Sequence, residues 1–330
     1  MKIFFYYVSF LLFFLIASPP KSNHFNPSKG ILDHIKDAHE WHIFGKEMII
    51  SLPIILWDRG FRIFLSSVFN HGNKFIEGNH CYYRFFQDRI YKTNYYGYLV
   101  FDLYGHPVNE NPLDFSVTKN VLTSIISSLI LFIFVFFLKK SEKILEFSVS
   151  FVRDEIAIPT LGVEKYNSYL PFLLTLFFFI FINNLLGLLP GSSNFTGNIS
   201  VTLALSSITF FTVNFNSSKT YWKHVLWNEG VPLFVRFILF PIEIAEILIR
   251  PITLCIRLFA NVTAGHIVLI SFIFLIFILK SISIAVFSLA FSLLVSVLEI
   301  LVAFLQSFIF TVLSSLFIGM TIVEHHQLEE

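Results

Sequence analysis

The sequence predicts an all-α integral membrane protein: transmembrane helices plus two long, strongly tilted helices forming a hairpin, with a small N-terminal extracytoplasmic region of mixed structure. Three observations predict it. Hydrophobic residues make up 55% of the 330-residue chain and charged residues only 14%. With a mean hydropathy of +0.72, that lies far above soluble domains. From residue 117 the chain is almost continuously apolar, in runs long enough to cross a bilayer. The last run, Ser281 to Met320, meets no Pro or Gly until Gly319. At about 1.5 Å per residue it would extend about 60 Å, twice the hydrocarbon thickness, which excludes an upright single span. The run is either broken or strongly tilted.

The N-terminal elements are the least membrane-like. "MKIFFYYVSFLLFFLIAS" has one Lys, an apolar run and a small-residue end at Ala17 and Ser18. The run is short for a span, so residues 1–20 read as a signal peptide cleaved near residues 18–23. Residues 21–116 then form a polar region, rich in Tyr and His, outside the cytoplasm. Within it "DHIKDAHEWHIFGKEMIISLPIILWDRGFRIFL" reads as a short polar helix followed by an alternating, strand-like run, and "NHGNKFIEGNH" supplies turn signals. His34, His39 and His42 lie near Asp33, Asp37 and Glu40. However, His34 and His39 would stand about 140° apart around a helix, poor geometry for a shared metal ion. A solvated packing helix or a partner surface is the better reading, and no metal or other cofactor is expected.

The membrane region, residues 117–323, opens with "VTKNVLTSIISSLILFIFVFFLKK", a first span ending on Lys139 and Lys140. Residues 139–168 are amphiphilic and carry Lys139, Lys140, Lys143, Arg153 and Lys165, whereas residues 190–198 carry no Lys or Arg. The positive-inside rule therefore puts residues 139–168 in the cytoplasm. "YLPFLLTLFFFIFINNLLGLLPG" crosses outward and "NISVTLALSSITFFTVNF" returns; Lys219 and Lys223 agree with that direction. Val231 to Lys280 is apolar or helix-forming throughout, with Pro232, Pro241 and Pro251. Residues 324–330, "EHHQLEE", read as a polar cytoplasmic tail.

The few polar groups in the last third are regularly spaced. Arg236, Glu243, Arg250 and Arg257 recur every seven residues, and Glu246 precedes Arg250 by four. Seven residues is close to two helical turns, so these groups form one stripe, with Glu246 and Arg250 in the favourable order for pairing. Arg236, Glu246 and Arg250 could simply glue helices together as ion pairs. Against that bland reading stands the cost of an intramembrane charge, about 2.5–3.5 kcal/mol per group. Arg257, Asn261 and Gly265 share a helix face with Ala260 and Ala264, small residues that let another helix come close. His266 lies about 180° around the helix from Arg257. Glu299 and Gln306 are seven apart on the last helix and share a face.

Here the sequence resembles a known family. "RPITLCIRLFANVTAGHIV" and "LEILVAFLQSFIFTVL" are similar to the two signature helices of subunit a, the membrane stator channel of F-type ATP synthases, and "NNLLGLLPG" resembles an earlier helix of that family. The likeness covers residues 117–323; residues 19–116 resemble the extended, signal-led N-terminus of some bacterial members. The resemblance implies that Arg257 faces a rotating c-ring whose subunits each carry one mid-membrane carboxylate. Asn261 and Gln306 match polar positions beside the arginine, Glu243 and His266 match family polar positions, and Glu299 matches the acid or base of the last helix. Some members carry an acid at the position of His266 and a histidine at that of Glu299, which implies that the two work as a pair. The implied partners are the c-ring, peripheral-stalk b subunits, the remainder of the ATP synthase, protons and the lipid bilayer. The implied location is the bacterial inner membrane, with the N-terminal region outside and the C-terminus in the cytoplasm.

The residue chemistry agrees with a rotary proton path. A guanidinium stays charged and has no acceptor, so it is a poor relay but a good electrostatic gate. Glu and His can titrate and would belong to the half-channels. Net charge is +1, so nothing argues for nucleic acid, and with no glycine-rich phosphate loop the chain does no nucleotide chemistry of its own. Cys81 and Cys255 lie too far apart to suggest a disulfide framework or a zinc site. The 43 Phe beside only 14 Gly look like AT-rich coding bias, so a single Phe carries little weight. A secondary transporter binding an anion at Arg257 would predict internal repeats, and none is evident between the halves. A membrane sensor would need a cytoplasmic output domain, and none is recognisable.

Overall fold

The computed structural model describes residues 37–44, 48–58, 60–70, 74–78, 81–87, 89–138, 142–188, 195–217, 221–222, 232–279 and 281–323. The expected signal peptide, the lysines at 139 and 140, the loops around 190 and 223, and the C-terminal tail lie outside these residues. The chain divides at residue 126 into two compact units.

The N-terminal unit is built of small antiparallel sheets. β1 (Glu40–Phe44) pairs with β2 (Met48–Ser51). β3 (Pro53–Trp57) lies between β4 (Phe61–Leu65) and β8 (Leu113–Asp114), and β6 (Tyr82–Phe86) lies between β5 (Phe75–Glu77) and β7 (Arg89–Thr93). The alternating run at residues 53–65 is indeed strand. The short polar helix expected just before it is not found at Glu40–Phe44, which is a strand. "EWHIF" is rich in aromatic and β-branched side chains, and the neighbouring "MIIS" offers it a ladder, which outweighs a polar helix with nothing to pack on. Ile54 and Leu56 point inward from β3 and are fully buried with Phe69, Tyr83 and Ile90.

The helical elements are α1 (Lys119–Leu138), α2 (Glu142–Val152), α3 (Ile158–Gly187), α4 (Ile199–Phe215), α5 (Leu233–Leu279) and α6 (Ile282–Val323). A π-helical turn at Arg153–Ala157 joins α2 to α3. Among the described residues four helices have the length and composition of membrane spans, so this is a multi-pass membrane protein. From Glu142 the amphiphilic segment runs as helix into the second span, apart from a kink at Gly162, which takes φ 78° inside α3, a left-handed conformation that glycine adopts without strain. Pro241 and Pro251 sit inside α5 without ending it. α6 runs unbroken for 42 residues, so of the two alternatives for this run, it is long rather than interrupted.

Helices α3, α5 and α6 form the core of the second unit. Val152, Ile156, Leu173, Phe177 and Ile318 make one buried cluster, and Leu176, Ile180, Leu254, Leu258 and Phe310 another. Lipid tails give no hydrophobic drive for helix association, so short polar side chains and close packing hold the bundle. Thr160 Oγ1 lies 2.5 Å from Ser315 Oγ, Thr209 Oγ1 lies 3.5 Å from Ser314 Oγ, and Asn184 Nδ2 donates to the Ala303 carbonyl at 3.5 Å.

Candidate functional site

Four contacts fix how α5 meets α6. Glu299 lies against Gly265, Phe272 stacks on Phe291 at 5.6 Å, Phe310 packs with Leu254 and Leu258, and the Arg250 guanidinium lies 5.3 Å from the Phe317 ring centroid. As the α5 number falls the α6 number rises, so the two helices form an antiparallel hairpin. That register sets Arg257 level with Gln306. Glu299 and His266 lie level with each other, about 10–14 Å closer to the hairpin turn.

The groups differ sharply in burial. His266, Glu299 and Gln306 are 7%, 9% and 6% exposed. Arg257 is half-buried, and Asn261, Ala260 and Ala264 are exposed. The arginine, the asparagine and the small residues therefore share an uncovered face, while His266 is turned into the bundle. Among the described residues Arg257 makes no ion pair or hydrogen bond. Glu299 Oε2 is buried with no partner among them, an acceptor open to a water or a proton. The close approach of Glu299 depends on a glycine. A Cβ at position 265 would stand 2.7 Å from Glu299 Oε1.

The charged stripe does not form one connected chain. Arg250 Nη2 donates to Glu246 Oε1 at 2.6 Å, the i, i+4 pair. Glu243 is half-buried, and the Arg236 side chain lies outside the described residues. Arg250 also lines a small, partly open pocket with Ser206, Thr209, Asn214 and Tyr221. The structure does not bring Glu299 to Arg257; the carboxyl sits two turns away along the hairpin.

Sequence reasoning passed over two polar features. Asn184 bridges helices, accepting from Thr196 Oγ1 at 2.7 Å while it donates to Ala303. Ser288, Ser292 and Ser296 are buried on α6 and lead at helical spacing to Glu299. That signal was present in "SLAFSLLVSVLE" as serines at i, i+4 and i+8 before the acid at i+11.

Comparison with known proteins adds independent findings. Residues 121–319 match the model of a family described as "ATP synthase A chain", and residues 30–115 match a domain of unknown function (DUF8433). Proteins named ATP synthase subunit a are similar to this chain. That of Chlorobium phaeobacteroides (strain BS1) is 42% identical over 226 residues, covering 63% of this chain and 66% of the relative. That of Chloroherpeton thalassium is 39% identical over 235 residues, 66% and 70% of the two chains. That of Myxococcus xanthus is 38% identical over 230 residues, 65% and 75%. The chain thus spans just under two thirds of the length of the Chlorobium relative.

Proposed function

This chain belongs to the ATP synthase A chain family, and on that premise we propose that it is the stator proton channel of the synthase membrane sector. Two aqueous half-channels carry protons to and from the carboxylates of a rotating ring of c subunits, and Arg257 is the gate between them. The observation that carries this reading is the arginine itself, without an ion pair or hydrogen bond among the described residues, inside a membrane-spanning helix, on an exposed face with Asn261, Ala260 and Ala264.

A guanidinium in a bilayer demands a counter-charge. A carboxylate arriving on a partner helix at about 4 Å supplies about 4 kcal/mol at an effective dielectric of about 20, comparable to the burial cost. The small residues of this face admit that helix. Opposite Arg257 the ring carboxylate is held ionised, so it gives up its proton before passing. The fixed charge also blocks a proton from crossing between half-channels without turning the ring. Glu299 and His266 belong to one half-channel and Glu243 to the other, with Gln306 and Asn261 as polar neighbours of the gate. Glu246 and Arg250 pair structurally.

The ring, the peripheral-stalk b subunits and the rest of the synthase are its partners, and the bacterial inner membrane is its location. The N-terminal unit lies outside and the C-terminus inside, on the charge asymmetry of the loops. ATP-driven acidification of membrane vesicles tests the reading. An assembled complex carrying Arg257→Ala is expected to lose pumping; undiminished pumping would make the arginine structural glue and remove the gate.

A further inference from the structure

We propose that the outer face of the β4-β3-β8 sheet rests on the lipid bilayer, at the leaflet from which α1 enters. The inference goes beyond the proton path and does not depend on it. Residues opposite one another in an antiparallel ladder share a face. Trp57 pairs with Phe61 and with Leu113, Ile55 pairs with Ile63, and Pro53 pairs with Leu65. The other face carries Ile54 and Leu56 into the core. The first face is uncovered: Trp57 is 42% exposed, Phe61 67%, Ile63 69%, Leu65 52%, Leu113 62% and Phe115 61%. Six large apolar side chains on one sheet face are a surface that water disfavours and that marks an interaction site.

Its position names the occupant. The Phe115 N–H donates to the Ile55 carbonyl at 2.9 Å and the Val117 N–H to the Pro53 carbonyl at 3.1 Å. The Lys119 N–H then donates to the Ala38 carbonyl at 3.0 Å and the Asn120 N–H to Asp37 Oδ1 at 3.3 Å. These bonds satisfy free N–H groups at the start of α1 and weld the sheet to that helix. Lys119 is also the first residue of a membrane-spanning segment. It lies four positions after Phe115 of the exposed face, at most about 14 Å of chain. The headgroup layer of one leaflet is roughly 5–8 Å deep, so the sheet is tethered at the height of that layer. Its Trp and Phe side chains are of the kind that settle at the membrane interface. The bilayer is thus the apolar partner already adjoining the face.

The test uses the full chain in lipid nanodiscs with Trp41, Trp222 and Trp227 each replaced by Phe, leaving Trp57 as the single tryptophan. In discs whose lipids are brominated at shallow acyl carbons, Trp57 emission is expected to fall about twofold or more, and Ile63→Glu should abolish the loss by lifting the face from the interface. Emission unaffected by brominated lipid overturns the proposal. Acrylamide then tells what stands there instead: quenching means water, and shielding means protein, either residues 1–36 or a second chain. Should the triple replacement fail to fold, the same reading is made as the difference between the unmodified chain and Trp57→Phe.

Discussion

Glu299 lies on Gly265 so closely that a Cβ there would stand 2.7 Å from its Oε1 and 3.1 Å from its Cγ. The glycine therefore sets where the buried carboxyl rests. Gly265→Ala must push it aside. The end of a Glu side chain moves more cheaply than backbone, and alanine gains about 1 kcal/mol of helix propensity over glycine, so the variant should assemble near wild-type levels. Proton conduction should suffer, because a displacement of about 1 Å can cost a hundredfold in a positioned transfer. Passive proton uptake by assembled membranes is expected to drop about tenfold. Unchanged uptake would show that this carboxyl's position does not matter to conduction.

Gly319 should respond in the opposite way. A Cβ on this residue of α6 would strike the Thr160 carbonyl oxygen of α3, and that atom is helix backbone with no room to rotate away. The Thr160–Ser315 hydroxyl contact one turn back ties the helices at the same place. Gly319→Ala is expected to cost about 2 kcal/mol and to lower the thermal midpoint of the purified chain. A midpoint equal to that of Gly265→Ala would mean that the two approaches are equally tolerant.

Much of this was legible in the sequence because lipid imposes simple rules. The first span and the two long helices follow from apolar length alone, and the spacing from Glu246 to Arg250 carries their pairing. What escaped were local contests between similar options. Residues 40–44 could form helix or strand, and the partner strand at residues 48–51 decided it. The amphiphilic stretch before Tyr169 was marked by its charges alone, and nothing in its pattern shows that helix runs up to Gly162, kinks there and resumes. Burial of Ser288, Ser292 and Ser296 depends on which face α6 turns to α5. Their i, i+4, i+8 spacing puts the three on one face with Glu299, but it does not say that this face is the one turned inward, since hydroxyls are tolerated on either side of a membrane helix.

The N-terminal unit should lose part of its stability in acid. Lys92 Nζ donates to Asp58 Oδ1 at 2.9 Å and, with Tyr83 also donating, holds that carboxyl below its usual range. A carboxyl with a depressed folded value contributes stability that is complete above its unfolded value of about 4 and is lost as pH falls through the lower folded one. Lys92→Met should therefore weaken the unit by about 1 kcal/mol at neutral pH. The gap should persist down to about pH 5 and close below about pH 4. Hydrogen exchange of the β6 amides in the full chain, followed across that range, reads it directly. A gap that stays constant into acid would mean that the lysine acts by packing rather than by charge.

The uncovered face of α5 yields the prediction most specific to a moving partner. With Cys81 and Cys255 replaced by Ala, Asn261→Cys places one thiol on the exposed arginine face and Leu258→Cys places one at a 1% exposed position. In the isolated chain in detergent, a maleimide should label position 261 readily and position 258 hardly at all. On the proposed function a helix of the ring covers position 261 in the assembled synthase, and labelling there should then slow by about tenfold, as contact surfaces exclude water and reagent. A ring that turns, as proposed, would let that protection relax while ATP is hydrolysed and return when turnover stops. Static glue would give protection indifferent to ATP. Equal labelling with and without the complex would remove the ring from this face altogether, and with it the reason for a guanidinium at position 257 that has no partner among the described residues.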